Sequence, residues 1–354
     1  MSTSKLLNKK VLFIIGGDAP HPFHAALAES INADFYKTAK RGQPNLVELI
    51  KSIKNLPRNY DIYLSETIFF VPTVAKIFRL IPKNALIVNI VADPVLYNMV
   101  NGYKNKLPNL INKILLKKVD GFVFIGKWGY LLNQIGLNTP LKEIFAGVKI
   151  NSIKELKRIP INRKRFENNH KIVFVGNVNQ SRAFYKGIDI LIDAIGIIRK
   201  QFPDTKLLIT GNSKLDKKYP FVEFTGNINL NSVISQVSLA VFMGRGDTFP
   251  LGSVEAMIAG TPTIVSTDTG TKEIVNKIDK DFICKLNAQD LANKISHYFK
   301  RDVRSKMLLA KAFREEASKY TEKRAINNFN RKFLELVNEI KNERCLNENN
   351  FYLL

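Results

Sequence analysis

The chain has 354 residues, enough for two domains with substantial cores, and 45% hydrophobic with 24% charged content is that of a globular protein. Two cysteines, Cys284 and Cys345, exclude a disulfide framework and a cysteine-ligated metal site, and no apolar run reaches the ~18 residues of a membrane span. The formal charge of +23, from 54 Lys and Arg against 31 Asp and Glu, is either a solvated basic surface or a footprint for anionic partners such as lipid headgroups, nucleic acid or a diphosphate.

Met1-Ser2-Thr3-Ser4 leads straight into the first apolar run, so no secretory signal and a cytoplasmic location are expected. Strands are predicted at 11–15, 62–65, 86–92, 121–125 and 143–145. Gly16 and Gly17 follow the first strand, and a helix begins near Pro22. Residues 104–118 put Leu107, Leu110, Ile111, Ile114 and Leu115 on one helical face, with Lys104, Lys106, Lys113, Lys117, Lys118 and no acidic residue. This is a basic amphipathic helix, resting either on an anionic membrane or on the core with a lysine edge. Leu116 falls on the polar face and fits neither arrangement. Residues 151–169 are charged, contain Pro160, and read as a linker. Further strands are predicted at 171–175, 206–210, 222–225, 239–243, 263–266 and 282–284. A final helix at 321–343 places Ala325, Phe329, Phe333, Leu336, Val337 and Ile340 on one face, and 347–354 reads as a frayed tail.

Alternating strands and helices, with strands apolar throughout, predict parallel sheets covered on both faces. The expected fold class is α/β: two doubly wound, Rossmann-like domains at 1–150 and 170–320, facing across a cleft. Ligands of such sheets bind outside the carboxyl ends of the strands.

The most specific segment is 241–275. Asp247 stands eight positions before Glu255, and between them Thr248-Phe249-Pro250-Leu251-Gly252 makes a turn into a helix. Helix N-termini carry unpaired amides and a positive dipole end, so the Gly252 and Ser253 amides are expected to hold an anion. Two flanking carboxylates supply acceptors for sugar hydroxyls. Downstream come Glu255-Ala256-Met257-Ile258-Ala259-Gly260-Thr261-Pro262-Thr263-Ile264 and Thr269-Gly270-Thr271-Lys272-Glu273. Asp247 and these two runs together resemble the donor-binding signature of the retaining glycosyltransferases of family 4, the group 1 glycosyltransferases. The resemblance covers essentially the whole chain and is strongest after residue 170.

It implies the GT-B fold, a nucleotide-diphosphate sugar (UDP- or GDP-linked) as co-substrate, and no cofactor or obligatory metal. The acceptor domain comes first, the donor domain second, and the final helix returns to the first domain. Family residues carry over to Glu255 for the ribose hydroxyls, Asp247 for the transferred sugar, and Lys186 and Gly187 for the diphosphate. Asn177 stands where the family has Arg, and Arg182, in a longer loop, is the candidate substitute. Gly226 and Asn227 close a strand where the family packs the base. Phe249, Leu251, Gly252 and Ser253 complete the donor set in the second half, with Gly16 and Gly17 from the first. The family's His is missing from 89–94, leaving Asp93 as a polar group near sugar or acceptor, or else a turn former before Pro94. His21 and His24 are acceptor-side candidates or simple helix-start residues. The expected activity is hexosyl transfer to a glycan or lipid-linked acceptor, peripheral at the inner face of a membrane. Two alternatives stay open: a nucleic-acid-binding or DNA-glycosylating protein on the same scaffold, and a non-catalytic sugar-nucleotide binder. Aromatic–basic interleaving of the base-stacking kind is missing, which counts against the first.

Overall fold

The computed structural model describes residues 9–17, 20–38, 46–66, 68–103, 106–212, 218–226, 228 and 230–351. Contacts divide the chain into two units: Met1–Phe145 with Arg324–Leu354, and Ala146–Lys323.

The first unit holds β1 (Val11–Gly16), α1 (Pro22–Ser30), β2 (Asp34–Thr38), α2 (Leu46–Lys54), β3 (Ile62–Glu66), α3 (Phe70–Ile77), β4 (Leu86–Val91), α4 (Val95–Val100), α5 (Lys106–Leu116), β5 (Gly121–Ile125), α6 (Tyr130–Gln134) and β6 (Leu141–Ile144). Its six parallel strands run β2-β1-β3-β4-β5-β6. Strands β1, β3, β4 and β5 are buried along their length, which is why uninterrupted apolar runs predicted them. Strand β2 was missed. Asp34-Phe35-Tyr36-Lys37-Thr38 lies at the sheet edge, mostly exposed, and its polar residues leave no such apolar run. Strand β6 begins at Leu141, two residues ahead of expectation, because its start is only partly buried.

One core layer joins Leu12, Ile14, Tyr63, Val71, Ala75 and Ile81; another joins Leu116, Phe122, Phe124, Trp128 and Leu131. The last helix, α16, runs from Glu322 to Phe351, beyond the expected 343. Its six predicted apolar residues are all buried. Leu336 and Ile340 crowd Gly121 so closely that a Cβ there would come 2.6 Å from Ile340 Cδ1. Ser30 Oγ donates to Asn330 Oδ1 at 2.7 Å, and Arg344 pairs with Asp120 at 2.6 Å, tying the helix to the first unit.

The second unit holds α7 (Ile150–Lys157), α8 (Arg163–Phe166), β7 (Lys171–Val175), α9 (Gln180–Ala183), α10 (Ile188–Ile198), β8 (Lys206–Thr210), β9 (Val222–Gly226), α11 (Leu230–Ile234), β10 (Leu239–Phe242), α12 (Leu251–Ile258), β11 (Thr263–Ser266), α13 (Lys272–Val275), β12 (Ile283–Cys284), α14 (Ala288–Lys300) and α15 (Val303–Ala317). Its parallel sheet runs β12-β11-β10-β7-β8-β9. Residues 151–169, expected as a linker, are built into this unit. Ile153, Leu156 and Phe166 are buried. The Arg165 guanidinium is buried too, donating to the Val237 and Ala259 carbonyls at 3.1 and 2.9 Å and to Thr261 Oγ1 at 2.5 Å. Composition misled here, because a charged side chain can be internal when backbone carbonyls take up its donors.

Both sheets have a reversal point. In the first, the chain leaves β1 toward β2 on one side and β3 on the other; in the second, β7 lies between β8 and β10. Crevices at such points, at the carboxyl ends of the strands, are where doubly wound sheets bind ligands.

Candidate active site

At the second unit's reversal point, the segments after β7 and β10 bring a cation and a carboxylate together. Lys186 Nζ lies 2.6 Å from Asp247 Oδ2. Lys186 is placed by a short relay. Asn179 caps α9 by accepting from the Arg182 amide at 3.0 Å, and the Lys186 amide donates to the Arg182 carbonyl at 2.9 Å. Gly187 then turns into α10 in the left-handed region, φ 66°. A Cβ there would sit 1.9 Å from the Met243 carbonyl oxygen, so glycine is required both by conformation and by space.

Sequence reasoning missed the residue that clamps this loop. Arg245 is buried and chelates Asp189 with Nη1–Oδ1 at 2.8 Å and Nη2–Oδ2 at 2.7 Å. Its Nη1 also donates to the Phe184 carbonyl, its guanidinium lies 4.1 Å over the Phe184 ring, and its amide donates to Tyr185 O at 2.8 Å. One side chain thus holds the start of α10 and the turn carrying Lys186. No local signal announces it, since Arg245 and Asp189 are 56 positions apart.

Asp247 is fixed by its backbone. It forms a parallel bridge with Thr269, and the Gly270 amide donates to its carbonyl at 2.9 Å. Helix α12 starts at Leu251, with Pro250 as its cap. Gly252 abuts β7, where a Cβ would come 2.4 Å from Val175 O. One expectation needs correction: the Ser253 amide is not free. It donates to the Pro250 carbonyl three residues back at 3.0 Å, a 3₁₀-type bond that tightens the first turn. Ser253 Oγ bonds Pro250 O and Thr271 Oγ1, making it a strut between α12 and the start of α13. Leu251 and Gly252 head the helix and are partly exposed, while Phe249 is buried with its ring 6.1 Å from Tyr320.

Glu255 is one turn into α12, among buried Val254, Ala256, Met257 and Ile258. Among the described residues nothing hydrogen-bonds or ion-pairs with its carboxylate, and burial pushes its pKa up from 4.5 to about 7. A carboxylate desolvated without compensation is a common mark of a functional position. Gly226 ends β9 at φ 69°, and beside it Thr225 Oγ1 is buried without a hydrogen-bond partner among the described residues. Asn227 lies outside the described residues. Arg182 is exposed. Asn177, in place of the expected arginine, accepts from the Asn212 amide at 2.8 Å and joins the loops after β7 and β8.

In the first unit, Gly16 ends β1 and Gly17 turns at φ 90°. His21 is the cap of α1, its Nδ1 accepting from the Phe23 amide at 3.3 Å. His24 is buried, with Nδ1 2.9 Å from Oε1 of Glu66 at the end of β3. The alignment falls short of a hydrogen bond, which leaves a close contact between the imidazole and the carboxylate. Asp93 follows β4, its Oδ1 accepting from the Val95 amide at the start of α4 at 2.9 Å. Glu66 was not singled out from sequence, because an acidic residue ending an apolar strand has no signature of its own.

Residues 169–301 match the family model described as Glycosyl transferases group 1. No curated protein matches the chain by sequence. Among solved structures, the chain is similar to Anabaena HepE, determined in complex with UDP and glucose: TM-score 0.65, 17% identity, covering 93% of this chain and 99% of that one. Sucrose-phosphate synthase of Thermosynechococcus elongatus gives TM-score 0.67, 16% identity, 93% of this chain and 100% of that one. A TarM variant from S. aureus, in complex with fondaparinux, α-GlcNAc-glycerol and UDP, gives TM-score 0.58, 18% identity, 83% of this chain and 59% of that one. At these identities the likeness establishes the fold. Residues 169–301, which carry Lys186, Asp247 and Glu255, thus match a group 1 glycosyltransferase domain, in a chain of GT-B fold.

Proposed function

We propose that the protein is a retaining glycosyltransferase that moves a hexosyl group from a UDP- or GDP-linked donor to a glycan or lipid-linked acceptor. The observation that carries this reading is Glu255, a half-buried carboxylate with no partner among the described residues. A ribose diol supplies two donors for such a group. The UDP complexes of HepE and TarM support a uridine donor by analogy of fold.

In this reading Lys186, Arg182 and the Leu251 and Gly252 amides neutralise the diphosphate, so no metal is required for the leaving group. Donor binding draws Lys186 from Asp247 and frees that carboxylate for sugar hydroxyls. In the first unit, His24, beside Glu66, and Asp93 serve the acceptor. The C1–O bond to the diphosphate breaks, the acceptor oxygen bonds C1 on the same face, and the acceptor proton passes to the departing phosphate oxygen. A lipid-linked acceptor places the enzyme in the cytoplasm at the inner face of a membrane.

The test is proton NMR of the anomeric centre during turnover of UDP- and GDP-sugars with saccharide and lipid-linked acceptors. An axial product from an axial donor supports the reading. Inversion overturns retention, and the absence of both transfer and donor hydrolysis across the panel overturns catalysis.

A further inference from the structure

We propose that the outer face of α2, α3 and α5 is a docking surface for an anionic lipid bilayer. The three helices follow β2, β3 and β4, and right-handed crossovers put them on one face of the first sheet. They pack side by side, α2 on α3 and α3 on α5. Their inner residues belong to the core: Leu49 and Ile53 of α2, Val71 and Ala75 of α3, Leu115 and Leu116 of α5.

Of the two arrangements left open for the basic helix, packing of its whole apolar stripe on the core does not occur. Leu116, the residue that fitted neither arrangement, is buried, while Leu107, Leu110, Ile111 and Ile114 face solvent, Leu107 at 68% exposure. Lys104 lies outside the described residues. On the neighbouring helices Leu46, Val47, Ile50, Ile77 and Phe78 are also exposed. Phe78 is 70% exposed at the end of α3, where Arg79 takes the left-handed conformation at φ 56°. Isolated exposed apolar residues are ordinary on a protein surface; nine on three adjacent helices mark an interaction face.

Charge decides the occupant. Lys51, Lys54, Arg79, Lys113, Lys117 and Lys118 lie in or directly after the same three helices, and Glu48 is the one acidic residue in their sequence. A second copy would bring the same basic face against itself. A nucleic acid would match the charge and leave the leucines unmatched. A bilayer with acidic headgroups takes both, apolar side chains entering the acyl boundary and lysines meeting the phosphates. The inference is independent of the donor-site reading.

The full-length protein is sedimented with phosphatidylcholine vesicles, with and without phosphatidylglycerol. It should pellet only with the anionic vesicles, and less as salt rises. Leu110→Gln with Ile111→Gln should lower the bound fraction about tenfold or more, the loss expected when buried apolar area is withdrawn from a lipid contact. Lys113→Gln with Lys117→Gln should do the same by removing charge. Melting temperature and UDP or GDP binding should stay unchanged in both variants, which separates a lost surface from a lost fold or a failed donor site. Equal pelleting with neutral vesicles, no pelleting, or full binding by the apolar variant overturns the proposal. A dimer in ultracentrifugation that the apolar variant dissolves assigns the face to a second copy instead.

Discussion

Replacing Glu255 with glutamine should stabilise the ligand-free protein at alkaline pH while impairing donor binding. Burial raises the Glu255 pKa from 4.5 to about 7 in the folded chain. Between those values the native state holds a proton that the unfolded state has released, so stability falls as pH rises through this window and levels off above it. At ~1.4 kcal/mol per pH unit, the cost of the ionised carboxylate is bounded at about 3 kcal/mol. Glutamine keeps the shape and carries no charge. At pH 8 Glu255→Gln should exceed the wild type by roughly 1–3 kcal/mol, which for a unit of this size is a rise of about 2–4 °C in Tm per kcal/mol. At pH 4.5 the two should nearly coincide. Scanning calorimetry at both pH values, with donor titration in parallel, reads the effect. A variant less stable than the wild type at pH 8 would show that the carboxylate has a stabilising partner and would refute the reasoning.

Other perturbations probe the cation side. Lys186→Ala should weaken donor binding at least tenfold, since a charge-assisted contact contributes about 1.5–3 kcal/mol; calorimetric titration beside Arg182→Ala tells which cation meets the diphosphate. Arg245→Ala should lower donor affinity although Arg245 is assigned no donor contact, because the Lys186 turn loses its clamp, and Arg245→Lys should restore only part, since lysine cannot chelate Asp189 bidentately. Gly187→Ala should cost 2 kcal/mol or more by chemical denaturation (about the sum of a left-handed backbone penalty and a clash with Met243 O), and an unchanged midpoint would contradict the close approach.

Strands buried on both faces were legible because an apolar run of five is their complete signature, and β7 to β11 appeared at their predicted places within two residues. Strand β2 was not, because an edge strand is half solvated. Residues 151–169 failed as a linker because composition cannot distinguish a solvated arginine from Arg165, whose donors end on three internal acceptors. The periodicity of α5 located the helix and not its orientation: an apolar face is identical in sequence whether it turns inward or outward, and Leu116 was the one hint. Within the site, Asp247, Glu255 and Lys186 came from the resemblance to the family's donor-binding signature. Arg245 and Glu66 act through long-range pairs, which a linear pattern does not encode. The Ser253 amide was expected to be free, and a 3₁₀-type bond to the Pro250 carbonyl, which sequence does not announce, takes it up.

The central claim is that the second unit holds a nucleotide-sugar donor on Glu255 and Lys186. Isothermal titration of UDP-glucose and GDP-mannose into the wild type, Glu255→Ala and Lys186→Ala tests it most directly. The account predicts one donor per wild-type chain for one of the two nucleotides, with each variant at least about tenfold weaker. Binding of neither nucleotide, or affinity unchanged in both variants, would contradict it.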